Sequence, residues 1–178
     1  MATRSAKSRC VGGRPVRYQW AGEPLNRSPE RDETVSKVVA AWFADRAANQ
    51  EFATGNIDSR HFNKYKIKLK AFLEEKLDRL QEGKLTPGSE VIEVERAVGQ
   101  NIFELHWHFE TVAQKKGKTQ IRHYEAEPDE VENSVFGLVL HVKDVAGDDA
   151  EIRKKQNMEI DAARELYSRH SRNGWELD

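Results

Sequence analysis

The central stretch of the chain, residues 101–110 (NIFELHWHFE), alternates large apolar side chains with polar ones. A period of two is typical of a β-strand that has one face on a core and the other face open. The pattern therefore predicts a half-buried strand. Its apolar face would consist of Phe103, Leu105, Trp107 and Phe109, and its polar face of Glu104, His106, His108 and Glu110.

Two helices are predicted before this strand. After a short alternating segment at 16–20, apolar residues recur at intervals of three and four over 35–48 and again over 62–80. Ser28 before a proline resembles a helix start, and Asp58 or Ser59 can cap the second helix. Two amphipathic helices joined by a short polar connection predict an antiparallel helical hairpin that lies on a sheet.

The second half of the chain predicts further strands and one last helix. Residues 91–95 and 120–127 alternate, and residues 135–143 are apolar on both faces until their end, which suits an interior strand. Asp148 or Asp149 can cap the C-terminal helix. The order of elements predicts an α+β fold, an antiparallel meander sheet with the helical hairpin packed on it and a C-terminal helix.

Length and composition predict one soluble domain at 15–169, with a flexible basic arm at 1–14 and a C-terminal tail at 170–178. The formal net charge of −1 gives no global basic field, so a nucleic acid would have to be bound by a local patch. The single cysteine, Cys10, excludes an intramolecular disulfide and suits a reducing compartment. No apolar run reaches membrane-spanning length. We therefore expect a cytoplasmic protein without membrane contact.

Several common catalytic motifs are absent from the sequence. It contains no Gly-rich phosphate loop, no GxSxG, no HExxH and no paired CxxC. A thiol nucleophile is disfavoured as well, because the only cysteine lies in the predicted arm. We expect no cofactor and no metal.

The polar face of the predicted sheet is the candidate site. His106 and His108 share a face of their strand, and the end of the interior strand contributes His141 and Lys143. Imidazoles transfer protons near neutral pH, and cationic groups stabilise the charge of a phosphoryl transition state. Three histidines could instead bind a metal ion, although His106 and His108 would lie roughly 7 Å apart along the strand, which is wide for one zinc.

The strand between these two leaves two alternatives open. Either Arg122 with Tyr124, or His123 with Glu125, shares the face of the candidate site. The alternation along this strand is compatible with either pair, because a shift of the strand register by one residue exchanges its two faces.

Lysines form a second group of candidates, for RNA binding. Lys115, Lys116 and Lys118 line a hairpin loop, and Lys64 and Lys68 belong to a basic run on the second helix. A charge run on a helix is usually a solvated face. If RNA binds, these side chains would supply contacts to phosphates.

Five segments together resemble the RelE/ParE toxin superfamily, nearest to its HigB-like, phage-related branch. They are LDRLQEG at 77–83, IFELHW at 102–107, IRHYE at 121–125, LVLHVKD at 138–144 and the helix at 151–167. The resemblance implies a RelE-like fold and an mRNA endonuclease that acts on the ribosome. It also implies a cognate antitoxin, expected to carry a helix-turn-helix.

Members of this superfamily cleave RNA by attack of the ribose 2′-hydroxyl on the adjacent phosphate. By position, the resemblance assigns catalysis to His106, which stands where the family often has an arginine, to Arg122 and Tyr124, and to His141 and Lys143. His108 and His123 are secondary candidates. Two other functions remain open: a non-catalytic protein of the same fold that binds a protein target, and a metal-binding sheet.

Overall fold

The computed structural model describes residues 8–177. The elements of this part of the chain are β1 (Arg17–Trp20), α1 (Val35–Ala53), α2 (Phe62–Gln81), β2 (Val91–Glu93), β3 (Ile102–Phe109), β4 (Thr119–Ala126), β5 (Ser134–Val142) and α3 (Asp149–Arg172). The fold is α+β, as predicted. Over these residues no helix is long and apolar enough to cross a membrane.

The strands form one open mixed sheet in the order β1-β5-β4-β3-β2. β2 pairs antiparallel with β3, β3 with β4, and β4 with β5. β1 pairs parallel with β5, so the sheet is not antiparallel throughout. Local alternation predicts that 16–20 is a strand, but it carries no information about the partner or its direction, because both are set by distant residues.

The helical hairpin covers one face of the sheet. α1 and α2 are neighbours, and the inward stripe of α2 shares one core with the apolar face of β3. The predicted apolar face of β3 is confirmed. Its polar face is not open throughout, since Glu104 is buried and contacts Gln156 of α3. This core includes Phe103, Leu105, Trp107 and Phe109 of β3 and Tyr65, Leu69, Leu73 and Leu77 of α2.

The other face of the sheet is covered in part by α3. Ile160, Ala163 and Tyr167 pack there in a second apolar cluster, which includes Phe136 of β5. Trp175 docks beside them, with its ring centroid 4.7 Å from that of Phe136. The helix continues to Arg172, so the predicted domain end at residue 169 is too early.

Residues 8–14 belong to the packed domain and are not a flexible arm; residues 1–7 lie outside the described residues. The Arg9 guanidinium donates hydrogen bonds of 2.7–2.8 Å to three backbone carbonyls around the turn before β5. Gly13 N–H donates to Gly83 O at 2.9 Å. Gly83 has φ +67°, and a Cβ there would lie 2.7 Å from the Arg14 carbonyl oxygen. Glycine therefore allows the end of α2 to approach this segment.

The predicted helix ends are partly correct. Asp148 caps α3, and its carboxylate accepts a 2.9 Å hydrogen bond from Glu151 N–H. α1 begins at Val35 and not at Ser28, because the apolar stripe starts there and Glu33 instead pairs with Arg27. α2 begins at Phe62.

Candidate functional site

The strand register places three of the predicted catalytic residues in one line across the sheet. His106 of β3 pairs with Arg122 of β4, and Arg122 pairs with His141 of β5. Of the two alternatives for β4, the structure therefore selects Arg122 with Tyr124. We call His106, Arg122 and His141 the His–Arg–His row. Neighbouring strands lie about 4.8 Å apart, so the two histidines are roughly 10 Å apart at their Cα atoms.

A buried carboxylate lies beside the row. Glu104 Oε1 is 3.2 Å from His106 Nε2 and 3.3 Å from Arg122 Nε. The same oxygen accepts hydrogen bonds from the Tyr124 hydroxyl at 3.2 Å and from the Gln156 amide of α3 at 3.4 Å. Glu104 is thus the common partner of groups from β3, β4 and α3.

The charges of Glu104 and Arg122 compensate each other. Burial alone would raise the pKa of Glu104, but the nearby His106, Arg122 and Tyr124 hydroxyl more than offset it, so its pKa is lowered. Burial lowers the pKa of Arg122, and the Glu104 charge opposes that shift. An arginine remains protonated at neutral pH under such conditions. The site therefore holds an ionised carboxylate against a buried guanidinium.

His141 has a defined tautomer. Its Nδ1 lies 3.2 Å from the Val142 carbonyl oxygen, which can only accept, so neutral His141 carries its proton on Nδ1. Within residues 8–177 its buried Nε2 has no hydrogen-bond partner. The ring stacks on Tyr124, with the centroids 5.9 Å apart and the planes 9° from parallel. His141 therefore offers an unpaired lone pair at Nε2.

The surroundings keep His141 neutral at physiological pH. Burial is the largest effect and lowers its pKa below the ordinary value of 6.5, and the charge of Arg122 lowers it further. Glu159 of α3 and Glu104 oppose this shift without reversing it. A neutral imidazole with a free Nε2 is the form that a general base needs.

A cavity of about 190 Å³ adjoins the row. Arg122, His141 and Lys143 line it from the sheet, and Lys155 and Glu159 line it from α3. Since one water occupies about 30 Å³ of liquid, the cavity has room for a phosphate group. The cavity thus combines a base with cationic side chains and with two acids, Asp144 and Glu159. The Lys155 ammonium is paired with Asp144 at 2.6 Å. This pairing leaves Arg122 and Lys143 as the cations for a phosphate.

Tyr124 and His123 are not available to a substrate. Tyr124 is fully buried, and burial, followed by the charge of Glu104, raises its pKa. His123 points to the helix side of the sheet, where its Nε2 lies 2.9 Å from the Tyr18 hydroxyl. Complete burial lowers the pKa of His123 to about 3. His123 is therefore a neutral core residue and not part of the candidate site.

His108 lies on the same face as the row, two residues further along β3. It pairs with Gln120 and is exposed. Burial, although slight, is the largest effect that lowers its pKa, and the charges of Arg122 and Lys118 add to it. His108 is near enough to contact a bound substrate but does not belong to the row.

The predicted RNA-binding lysines do not surround the row. Lys64 and Lys68 are exposed on α2, which packs on the opposite face of the sheet. The backbone N–H groups of Lys115 and Lys116 donate to Asn56 Oδ1, at 3.1 and 2.6 Å, so the tip of the loop bends towards the helical hairpin.

Lys118 is the lysine of this set closest to the candidate site. Its charge contributes to the lowered pKa of His108, and its Nζ lies 4.0 Å from a Glu110 carboxylate oxygen. Together with Lys143 it provides the cationic side chains at this end of the sheet. A nucleic acid at the row would therefore meet a small basic area and not a broad one.

The contribution of α3 to the site was not predicted from the sequence. Gln156 and Glu159 face the row, and Ile160 and Ala163 are buried beneath the same helix. Their spacing of three and four is a sequence signal, because it puts all four on one side of a helix. Which strands of the sheet that side covers could be seen only in the structure.

Comparisons with known proteins add nothing to this picture, since no family model, no curated protein and no solved structure matches the chain.

Proposed function

We propose that the protein is an endoribonuclease that cleaves RNA through attack of a ribose 2′-hydroxyl on the adjacent phosphate. The observation that carries this proposal is the His–Arg–His row, in which two imidazoles flank a guanidinium and His141 Nε2 has no partner within the described part of the chain. Two groups that exchange protons on either side of a cation suit phosphoryl transfer.

In the proposed reaction His141 is the general base. Its Nε2 takes the proton of the 2′-hydroxyl, and the resulting oxygen forms a bond to phosphorus. The bond from phosphorus to the 5′-oxygen breaks, and His106 supplies the proton for that oxygen. The products are a 2′,3′-cyclic phosphate and a 5′-hydroxyl. Arg122 and Lys143 stabilise the negative charge on the phosphate oxygens.

Glu104 and Tyr124 are positioning residues in this mechanism. Glu104 lies within 3.3 Å of both His106 and Arg122, so it holds the His106 ring beside the guanidinium. Tyr124 fixes the orientation of the His141 ring, because the two rings stack.

The resemblance to RelE/ParE toxins supports a narrower proposal: mRNA on the ribosome is the substrate, and an antitoxin blocks the site. The ribosome would supply binding surface that the chain lacks, since the basic area near the row is small and the formal net charge is −1. Growth arrest on expression in bacteria is the expected phenotype.

Substitution of the row tests the proposal. The variants His106→Ala, Arg122→Ala and His141→Gln should each lower the rate of mRNA cleavage about 10²- to 10⁴-fold, the usual contribution of a proton-transfer or charge-stabilising group. The rate is measured with purified protein, on free RNA and on ribosome-bound mRNA. His61→Ala is the matched control, because His61 is exposed and lies just before α2; this variant should keep the full rate.

Two outcomes would contradict the proposal. The first is equal cleavage by His141→Gln and the wild type. The second is a folded wild type that cuts neither substrate and whose expression leaves growth unchanged. Recovery of one protein partner in a stoichiometric complex, without RNA cleavage, would instead favour a non-catalytic binding protein.

A further inference from the structure

A second polar cluster is buried on the helix side of the sheet, away from the His–Arg–His row. Cys10 Sγ lies 3.7 Å from Glu125 Oε1 and 3.7 Å from Glu127 Oε1. Cys10 and Glu125 are fully buried, and Glu127 is 4% exposed. We call these residues the Cys–Glu–Glu cluster. A thiol and two carboxyl groups seldom share a core unless something compensates them.

The two carboxyl groups differ in how they are satisfied. Glu127 accepts hydrogen bonds from the Ser8 hydroxyl at 2.6 Å and from Arg9 N–H at 2.7 Å. Glu125 Oε2 has no hydrogen-bond partner over residues 8–177. The Arg9 guanidinium is engaged by backbone carbonyls and not by either carboxylate. Glu125 Oε1 faces the Cys10 thiol, while Oε2 of the same carboxyl group is buried without a partner in the described part of the chain. A buried carboxyl group in this position needs a cation or a proton.

The spacing of the three groups fits a zinc ion. Zinc–sulfur bonds of about 2.3 Å and zinc–oxygen bonds of about 2.0 Å at tetrahedral angles separate the sulfur and oxygen ligands by about 3.5 Å. The observed separations of 3.7 Å are close to this value. One ligand atom from each residue lies within 4.8 Å of the others. Only a small adjustment of the side chains would therefore close the site around the ion.

We propose that Cys10, Glu125 and Glu127 bind a zinc ion that fastens the N-terminal segment to β4. The thiolate favours zinc over magnesium or calcium, which prefer sites built of oxygen alone. In the metal-free protein Cys10 and Glu125 hold protons, since burial raises the pKa of each. Zinc displaces the protons of the Cys10 thiol and the Glu125 carboxyl, which leave to solvent.

Zinc titration of the full-length protein, after removal of metal with a chelator, tests this site. Wild type should bind one zinc per chain in competition with a chromophoric chelator. Its Tm should rise by about 5–10 °C when free zinc exceeds Kd 100-fold. Cys10→Ser and Glu125→Gln should each weaken zinc binding more than about 100-fold. Loss of a residue that only hydrogen-bonds to a metal ligand already weakens binding by about 10- to 100-fold, and loss of the ligand itself should weaken it more. Glu132→Gln, an exposed acid in the next turn, is the matched control and should bind as wild type does.

Glu125→Gln should fold, because it replaces a protonated carboxyl with a neutral side chain of the same shape. Cobalt provides a second measurement on the wild type alone: bound Co²⁺ should show thiolate-to-metal charge-transfer absorption in the near ultraviolet. Absence of zinc binding and of this band in wild type, or unchanged affinity in Cys10→Ser, would overturn the proposal. No RNA is present in these measurements, so their outcome is independent of the proposed cleavage.

Discussion

At the residue scale, Glu104 determines how the candidate site is charged. A carboxylate within 3.3 Å of an imidazole nitrogen and a guanidinium nitrogen compensates both. Without it, a buried Arg122 would lack its counter-charge, which is strongly unfavourable. The same carboxylate accepts hydrogen bonds from the hydroxyl of Tyr124 and the amide of Gln156. One side chain thus connects β3, β4 and α3 at the row.

The pH dependence of cleavage should report on His141. The proposed base acts only when neutral, so the rate should fall as pH drops through a pKa that burial and Arg122 hold below 6.5. Glu159 opposes that shift, and Glu159→Gln should therefore move the acid limb to still lower pH. The measurement is the pH profile of kcat/KM. Glu165→Gln, exposed on the same helix, should leave the limb in place. A limb that moves to higher pH in Glu159→Gln would contradict the assignment of the base.

His123 should make the fold sensitive to acid. Its folded pKa is about 3, whereas the unfolded chain takes up the proton near 6.5. Because the pKa of His123 is lower in the folded than in the unfolded state, protonation favours the unfolded chain. The contribution of neutral His123 to the free energy of unfolding is therefore complete above pH 6.5 and is lost as the pH falls from 6.5 towards 3. The loss is at most about 1.4 kcal/mol per pH unit, so it amounts to roughly 2–3 kcal/mol between pH 6.5 and 4.5.

Denaturant unfolding at these two pH values measures the effect. His123→Gln can keep a hydrogen bond to Tyr18 but cannot take up a proton, so its free energy of unfolding should fall by that much less over the same interval. His61→Gln, a change at an exposed site, should retain the wild-type dependence. An unchanged pH dependence in His123→Gln would show that this histidine is not the acid-sensitive group.

At the scale of elements, local patterns predicted most of the helices and strands. The alternation in β3 correctly assigned Phe103 and Trp107 to the core, and the capping role of Asp148 was correct. Such signals succeed because periodicity and caps depend on residues close together in sequence. The parallel pairing of β1 with β5 could not be predicted, since nothing local specifies a partner more than 100 residues away.

The candidate site was only partly predictable for the same reason. Alternation limited β4 to two choices, and only the register with β3 and β5 aligned Arg122 between the histidines. The segment at 8–14 was misjudged because its small polar residues are typical of flexible chains. Here Ser8 and Arg9 have partners more than 110 residues away, as Ser8 has in Glu127.

At the scale of the whole molecule, β4 separates two polar sites. It is the central strand of five and is buried on both faces. Arg122 faces the side that α3 covers, whereas Glu125 faces the side of the helical hairpin and the N-terminal segment. Proposed catalysis and proposed zinc binding therefore use opposite faces of one strand. A change at one site is expected to reach the other only through β4 itself.

The chemistry of the RNA ends tests the central proposal most directly. An mRNA with an all-ribose cleavage site, presented on ribosomes, should be cut by the wild type to leave a 2′,3′-cyclic phosphate and a 5′-hydroxyl. The same mRNA with a single 2′-deoxynucleotide on the 5′ side of the scissile phosphate should remain intact, because the attacking hydroxyl is missing. Cleavage of the deoxy-substituted mRNA at that position, or of neither RNA, would contradict the proposed mechanism.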